Sequence, residues 1–232
     1  RYDFNYTSME GMIYKTNNAG GSWTNSTVSQ EINNENTLLH TVFSTGAGVV
    51  YAGAENTMGA GTSTLFKSTN DGVTWSPMSF GQSIWSLYFV SANTGFAATT
   101  NGLYKTTNAG ANWTNILPTT AALHTVQIKN GFGFAAGVNG LIYVTNDNGT
   151  SWLPMASPVT TTIEKVFVIS PQLAYAVGGA GTFLKYTGLP TCAIQPIITG
   201  NANICANGID TYSVPAVAGA NYVWTVTGGS IT

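Results

Sequence analysis

One phrase occurs four times in this chain, and no other feature limits its fold so tightly. It reads Ile13-Tyr14-Lys15-Thr16-Asn17-Asn18-Ala19-Gly20-Gly21-Ser22-Trp23, then Leu65-Phe66-Lys67-Ser68-Thr69-Asn70-Asp71-Gly72-Val73-Thr74-Trp75. It returns as Leu103-Tyr104-Lys105-Thr106-Thr107-Asn108-Ala109-Gly110-Ala111-Asn112-Trp113 and as Ile142-Tyr143-Val144-Thr145-Asn146-Asp147-Asn148-Gly149-Thr150-Ser151-Trp152. The tryptophans stand 52, 38 and 39 residues apart, and the long interval carries two additional stretches, one after Trp23 and one over 55–64. Without them the period is about 38, a unit too small to bury its own apolar faces unless it stacks on its neighbours.

Within a period, short alternating runs are separated by turn signals, as in Ile84-Trp85-Ser86-Leu87-Tyr88-Phe89-Val90, Asn93-Thr94-Gly95, Phe96-Ala97-Ala98, Asn101-Gly102 and Leu103-Tyr104-Lys105. That spacing predicts four antiparallel strands per repeat, so the fold class is all-β and the architecture a β-propeller of four-stranded blades. The opening strands align as Leu39-His40-Thr41-Val42, Ile84-Trp85-Ser86-Leu87, Leu123-His124-Thr125-Val126 and Ile163-Glu164-Lys165-Val166. The second strands align as Tyr51-Ala52-Gly53, Phe96-Ala97-Ala98, Phe134-Ala135-Ala136 and Tyr175-Ala176-Val177, where small residues suit converging sheets. About five blades are visible: three full repeats, a fourth without the phrase and a leading half. They suit a ring of five, or one of six or seven with upstream sequence.

In the phrase, Thr or Ser opens a hairpin turn, and the Asn or Asp two residues on bonds backbone N–H groups. Gly takes a left-handed conformation, and Trp anchors the returning strand in the core. The sets are Thr16, Asn18, Gly20, Trp23; Ser68, Asn70, Gly72, Trp75; Thr106, Asn108, Gly110, Trp113; and Thr145, Asp147, Gly149, Trp152. The phrase resembles the Asp-box, or bacterial neuraminidase repeat, of pattern Ser/Thr-x-Asp-x-Gly-x-Ser/Thr-Trp, over residues 12 to about 187. It departs from that pattern in Asn18, Asn70 and Asn108 at the Asp position and in Asn112 for the hydroxyl residue. The whole repeat looks most like the propellers of the photosystem II assembly-factor-like family, whose photosynthetic members carry an arginine-rich patch. Arg1 is the single arginine here, so the photosystem role is not carried over.

After Tyr186 the chain runs into Thr187-Gly188-Leu189-Pro190, which sets the expected division: propeller 1–188, connector 189–196 and a further module 197–232. The last segment, with Thr211-Tyr212-Ser213-Val214 and Tyr222-Val223-Trp224-Thr225-Val226, resembles the front half of PKD-like, immunoglobulin-like modules, in which a Trp packs between two sheets. Modules of this wording are similar to those of large cell-surface proteins exported by the type IX route. That resemblance implies an extracellular or cell-surface location and a section of a larger chain. Cys192 and Cys205, thirteen apart, are compatible with one local disulfide.

Only 7% of residues are charged while 44% are apolar, so solubility must come from Thr, Ser and Asn. With net charge −2 and seven Lys plus Arg spread along 232 residues, no basic patch exists to neutralise phosphates, and nucleic acid is not an expected partner. No apolar run approaches the length of a membrane span. A sialidase grips its substrate carboxylate with three arginines, which one arginine cannot do. Other glycosidases need two facing carboxylates, and Glu31, Glu35, Glu55 and Glu164 are the candidates for such a pair.

His40, Trp85, His124 and Glu164 share one register of the opening strands, and equivalent positions in a propeller ring its axis. These four form the expected ligand-binding ring, with two imidazoles, a carboxylate and an indole for a small polar ligand. No catalytic residue, metal site or cofactor is assigned. Lys15, Lys67, Lys105 and Lys185 share another register and read as solvated charge, while the four turn tryptophans read as core. The expectation is a non-enzymatic structural or ligand-binding section of a larger extracellular protein. Its expected partners are other domains of that chain, a surface protein or a glycan. The alternatives are a carbohydrate-active hydrolase using loop carboxylates and a protein-docking assembly factor.

Overall fold

The computed structural model describes residues 11–28, 38–55, 64–78 and 80–188. All belong to the first of two units into which the chain divides between Gly188 and Leu189. Cys192, Cys205, the connector 189–196, the segment 197–232, Glu31 and Glu35 lie outside the described residues.

Those residues form strands and two single 3₁₀ turns, with no helix long and apolar enough to cross a membrane. A leading pair, β1 (Gly11–Lys15) and β2 (Thr24–Val28), precedes three four-stranded antiparallel meanders. The first holds β3 (Leu38–Gly46), β4 (Val49–Glu55), β5 (Leu65–Ser68) and β6 (Ser76–Met78). The next holds β7 (Ile84–Phe89), β8 (Gly95–Thr99), β9 (Gly102–Thr106) and β10 (Thr114–Pro118). The third holds β11 (Leu123–Lys129), β12 (Phe132–Gly137), β13 (Ile142–Thr145) and β14 (Leu153–Pro154). A last sheet holds β15 (Ile163–Ser170), β16 (Leu173–Gly178) and β17 (Phe183–Thr187). Four-stranded sheets recurring at the sequence period are propeller blades, so the fold class is the one expected.

Burial follows from blades stacking on both faces. β8 and β12 are buried at every position, with Phe96 or Phe134 facing the following blade and Ala97 or Ala135 the preceding one. A strand covered on both sides shows no polar alternation. β16, in the last blade, is covered on one side and is mostly half-buried. Opening strands of successive blades touch one another, and a hydroxyl locks each contact. Thr41 Oγ1 accepts the Leu87 N–H (3.3 Å), Ser86 Oγ the Val126 N–H (3.4 Å) and Thr125 Oγ1 the Val166 N–H (3.2 Å).

The recurrent turn closes the same way four times. Its first hydroxyl donates to Oδ1 of Asn18, Asn70, Asn108 or Asp147 and accepts the N–H of Gly20, Gly72, Gly110 or Gly149. That Oδ1 accepts the N–H of Ser22, Thr74, Asn112 or Ser151 at 2.8–2.9 Å. Two consecutive residues are left-handed, for example Ala109 (φ 55°) then Gly110 (φ 82°), so Gly carries only half of the backbone demand.

Two expectations need correction. Trp75, Trp113 and Trp152 are half-buried between blades, but Trp23 is 59% exposed, because a turn tryptophan packs on the preceding blade and the described residues hold none before β1. Two of the four shared lysines are not simply solvated. Lys67 Nζ donates to Ala109 O (3.4 Å) and lies over the Tyr51 ring, and Lys105 Nζ donates to Gly149 O (3.2 Å) over Phe96, each reaching the next blade's turn.

Candidate ligand-binding site

His40, Trp85, His124 and Glu164 each stand at a break in strand register. The pairing skips from Leu39 to Thr41 in β3, from Ile84 to Ser86 in β7, from Leu123 to Thr125 in β11 and from Ile163 to Lys165 in β15. The skipped residue is the extra one of a β-bulge, a device that takes a side chain out of the ladder and re-aims it. Four consecutive opening strands therefore present one re-aimed side chain apiece at the same level. Close backbone approach sets the bulge in the later blades. A Cβ at Gly137 would collide with Ala122 O and one at Gly178 with Thr162 O, the carbonyls just before β11 and β15.

The re-aimed side chains form a column. The His40 and Trp85 rings lie 4.4 Å apart and tilted by 43°, and Trp85 and His124 are 4.7 Å apart and nearly parallel at 18°. Trp85 thus carries an imidazole on each side, one from the blade before and one from the blade after. The indole bridges His40 and His124, which belong to non-adjacent blades, and both of its sides are taken up by imidazoles. Its Nε1 is buried and has no acceptor among the described residues.

A carboxylate ends the column on either side. His40 Nε2 lies 3.1 Å from Glu55 Oε2, and His124 Nδ1 lies 2.8 Å from Glu164 Oε2. An ionised carboxylate only accepts, so each imidazole turns a protonated nitrogen toward its partner. Glu55, the last residue of β4, was foreseen only as an insert carboxylate. The β3–β4 hairpin runs longer than its counterparts and pairs Leu38 with Glu55, which brings that carboxylate to His40. Side-chain exposure is 28% at His40 and 32% at Glu55, lowest at His124 (16%) and highest at Glu164 (55%).

The arrangement offers hydrogen-bond acceptors and donors around an aromatic spine. Glu55 and Glu164 cap opposite ends, each held by its own imidazole, so they do not face one another across a shared gap. Among the described residues no group of three His, Cys, Asp or Glu side chains converges as a metal shell.

No protein-family model matches the chain, and no curated protein does. Solved structures do. The GH74 xyloglucanase from Xanthomonas campestris aligns at TM-score 0.55 and 14% identity over 76% of this chain and 33% of its own. An ancestral GH74 enzyme aligns at 0.53 and 18% over 65% of this chain and 23% of its own. YCF48 from Cyanidioschyzon merolae aligns at 0.51 and 15% over 78% and 57% respectively. The chain therefore spans a quarter to a third of the two hydrolases, and at these identities the likeness shows the fold: a β-propeller. It also overturns the expectation of a chain that is not an enzyme. Two of these three structures are glycoside hydrolases, so this fold carries hydrolysis, and the single arginine argues only against a sialidase.

Proposed function

We propose that this chain is a ligand-binding propeller section of a larger extracellular protein and that it recognises a neutral, hydroxyl-rich ligand, a glycan segment, at the column Glu55–His40–Trp85–His124–Glu164. The observation that carries this reading is the set of four aligned bulges, which aim these side chains to one level at the cost of regular pairing. Two carboxylates repel an anionic ligand, while carboxylate and imidazole edges suit sugar hydroxyls. The low charge, the Asp-box-like turns and the PKD-like wording of 197–232 support the extracellular setting.

Isothermal titration of the chain with neutral oligosaccharides tests it. Saturable binding should weaken tenfold or more in Glu164→Gln and in His124→Ala, with the fold unchanged by circular dichroism. Equal binding by both variants, or none by the parent across the oligosaccharide set, contradicts it. A second reading, drawn from the GH74 likeness, is hydrolysis of such a glycan. Because Glu55 and Glu164 do not face one another, only one of them can serve as the general acid, so reducing-end release lost in one of Glu55→Gln and Glu164→Gln and kept in the other would establish it.

A further inference from the structure

The chain has two histidines, His40 and His124, and both stand in the column. Imidazole is the side chain whose charge ordinarily changes between about pH 5 and about pH 8. Both rings are held alike, with one edge against a carboxylate and one face against the Trp85 indole. The edges differ: His40 turns Nε2 to Glu55 and His124 turns Nδ1 to Glu164, which leaves His40 Nδ1 and His124 Nε2 over. Neither of these nitrogens bonds to a described residue.

Few other charges bear on the two rings. β4 contributes Glu55 alone, and β7, β8 and β12 contribute no charged residue. Lys129 lies at the opposite end of β11, in register with Phe132, and Lys15 ends β1. Lys165 follows Glu164 on β15 and forms no ion pair among the described residues.

While neutral, each imidazole donates one N–H to its carboxylate and offers the remaining nitrogen as an acceptor. Once protonated it has no acceptor left. Its contact with the carboxylate becomes an ion pair, and the ring becomes a cation against a π face of Trp85. Two protons therefore take up both carboxylates and clamp the indole between two cations. A ligand hydroxyl must then break an ion pair to reach either carboxylate.

Resting on the reading that a neutral oligosaccharide binds at the column, we propose that this site is gated by pH: it binds with both imidazoles neutral and releases its ligand when acid protonates them. Proton and ligand compete for the same edges, so binding expels protons and protonation expels ligand to the same degree.

The test is isothermal titration of the full 232-residue chain with neutral oligosaccharides at about pH 7.5 and about pH 5.5. Affinity should fall tenfold or more at the acid end, with circular dichroism unchanged. At about pH 6.5 binding should release protons, read as a heat that varies with the ionisation enthalpy of the buffer, and His124→Gln should release fewer. His40→Gln is the second variant, should the first fail to fold. Saturable binding of equal affinity at both pH values, tighter binding in acid, or binding without proton release overturns the gate and leaves the glycan reading standing. Absence of binding at either pH overturns both.

Discussion

At the residue scale, one side chain in each of four consecutive sheets leaves the ladder as a bulge; His40, Trp85 and His124 then join through ring contacts, and Glu164 through the His124 imidazole. The shared register of His40, Trp85, His124 and Glu164 was legible because the period aligns the opening strands. The bulge was not, since an extra residue present in every copy leaves no gap in an alignment. Nor was the Glu55 contact, which comes from an extended hairpin in one blade alone. Asp147 allows a test of the turn geometry. Hydrogen bonds from the Ser151 hydroxyl and N–H, then from Thr145 and the Thr150 N–H, outweigh a small effect of burial and hold its carboxyl at about 2. A carboxyl lowered on folding stabilises the fold above its unfolded value, near 3.9, and that contribution is lost as pH falls through about 2. A carboxyl-carbon NMR titration should therefore place the Asp147 midpoint near 2 in the parent and closer to the ordinary value in Ser151→Ala. An unchanged midpoint in the variant would refute the cause.

At the element scale, the blades are held by apolar stacking and by the hydroxyls of Thr41, Ser86 and Thr125, directly after the first three bulges. The four-strand unit and its turns were readable from alternation and from Gly, Asn and Trp spacing. The inter-blade locks were not, because Thr41, Ser86 and Thr125 look like ordinary polar strand residues until the next strand is placed beside them. Thr125→Val keeps the shape but leaves the Val166 N–H without its acceptor in a buried site. It should cost about 1–2 kcal/mol in chemical unfolding. Gly137→Ala forces a Cβ into Ala122 O and should cost about 1–3 kcal/mol while disturbing His124, whose neighbour Leu123 pairs with Gly137. A midpoint unchanged in either variant would count against this packing.

At the scale of the whole molecule, the first and last of the described sheets both expose apolar side chains. Met12, Tyr14 and Trp23 are exposed on the leading pair, and Phe167, Val177 and Phe183 on the last blade. The same register position makes the point: Leu65 and Leu103 are fully buried, whereas Phe183 is 65% exposed. Leu103→Ala should therefore cost about 2–5 kcal/mol, and Phe183→Ala less than about 0.5 kcal/mol, in parallel denaturant titrations. Comparable losses would mean that another surface covers Phe183. Periodicity aligns Leu103 with Phe183 and assigns a face to each strand, but it cannot say how far a neighbouring blade covers that face.

The most direct test of the column is side-chain NMR of ¹⁵N-histidine chain, since only His40 and His124 contribute. The account predicts protons on His40 Nε2 and His124 Nδ1, ring signals moved upfield by the Trp85 indole, loss of that shift in Trp85→Ala, and perturbation of both rings on oligosaccharide binding. Two imidazoles with ordinary shifts, indifferent to Trp85→Ala, would contradict it.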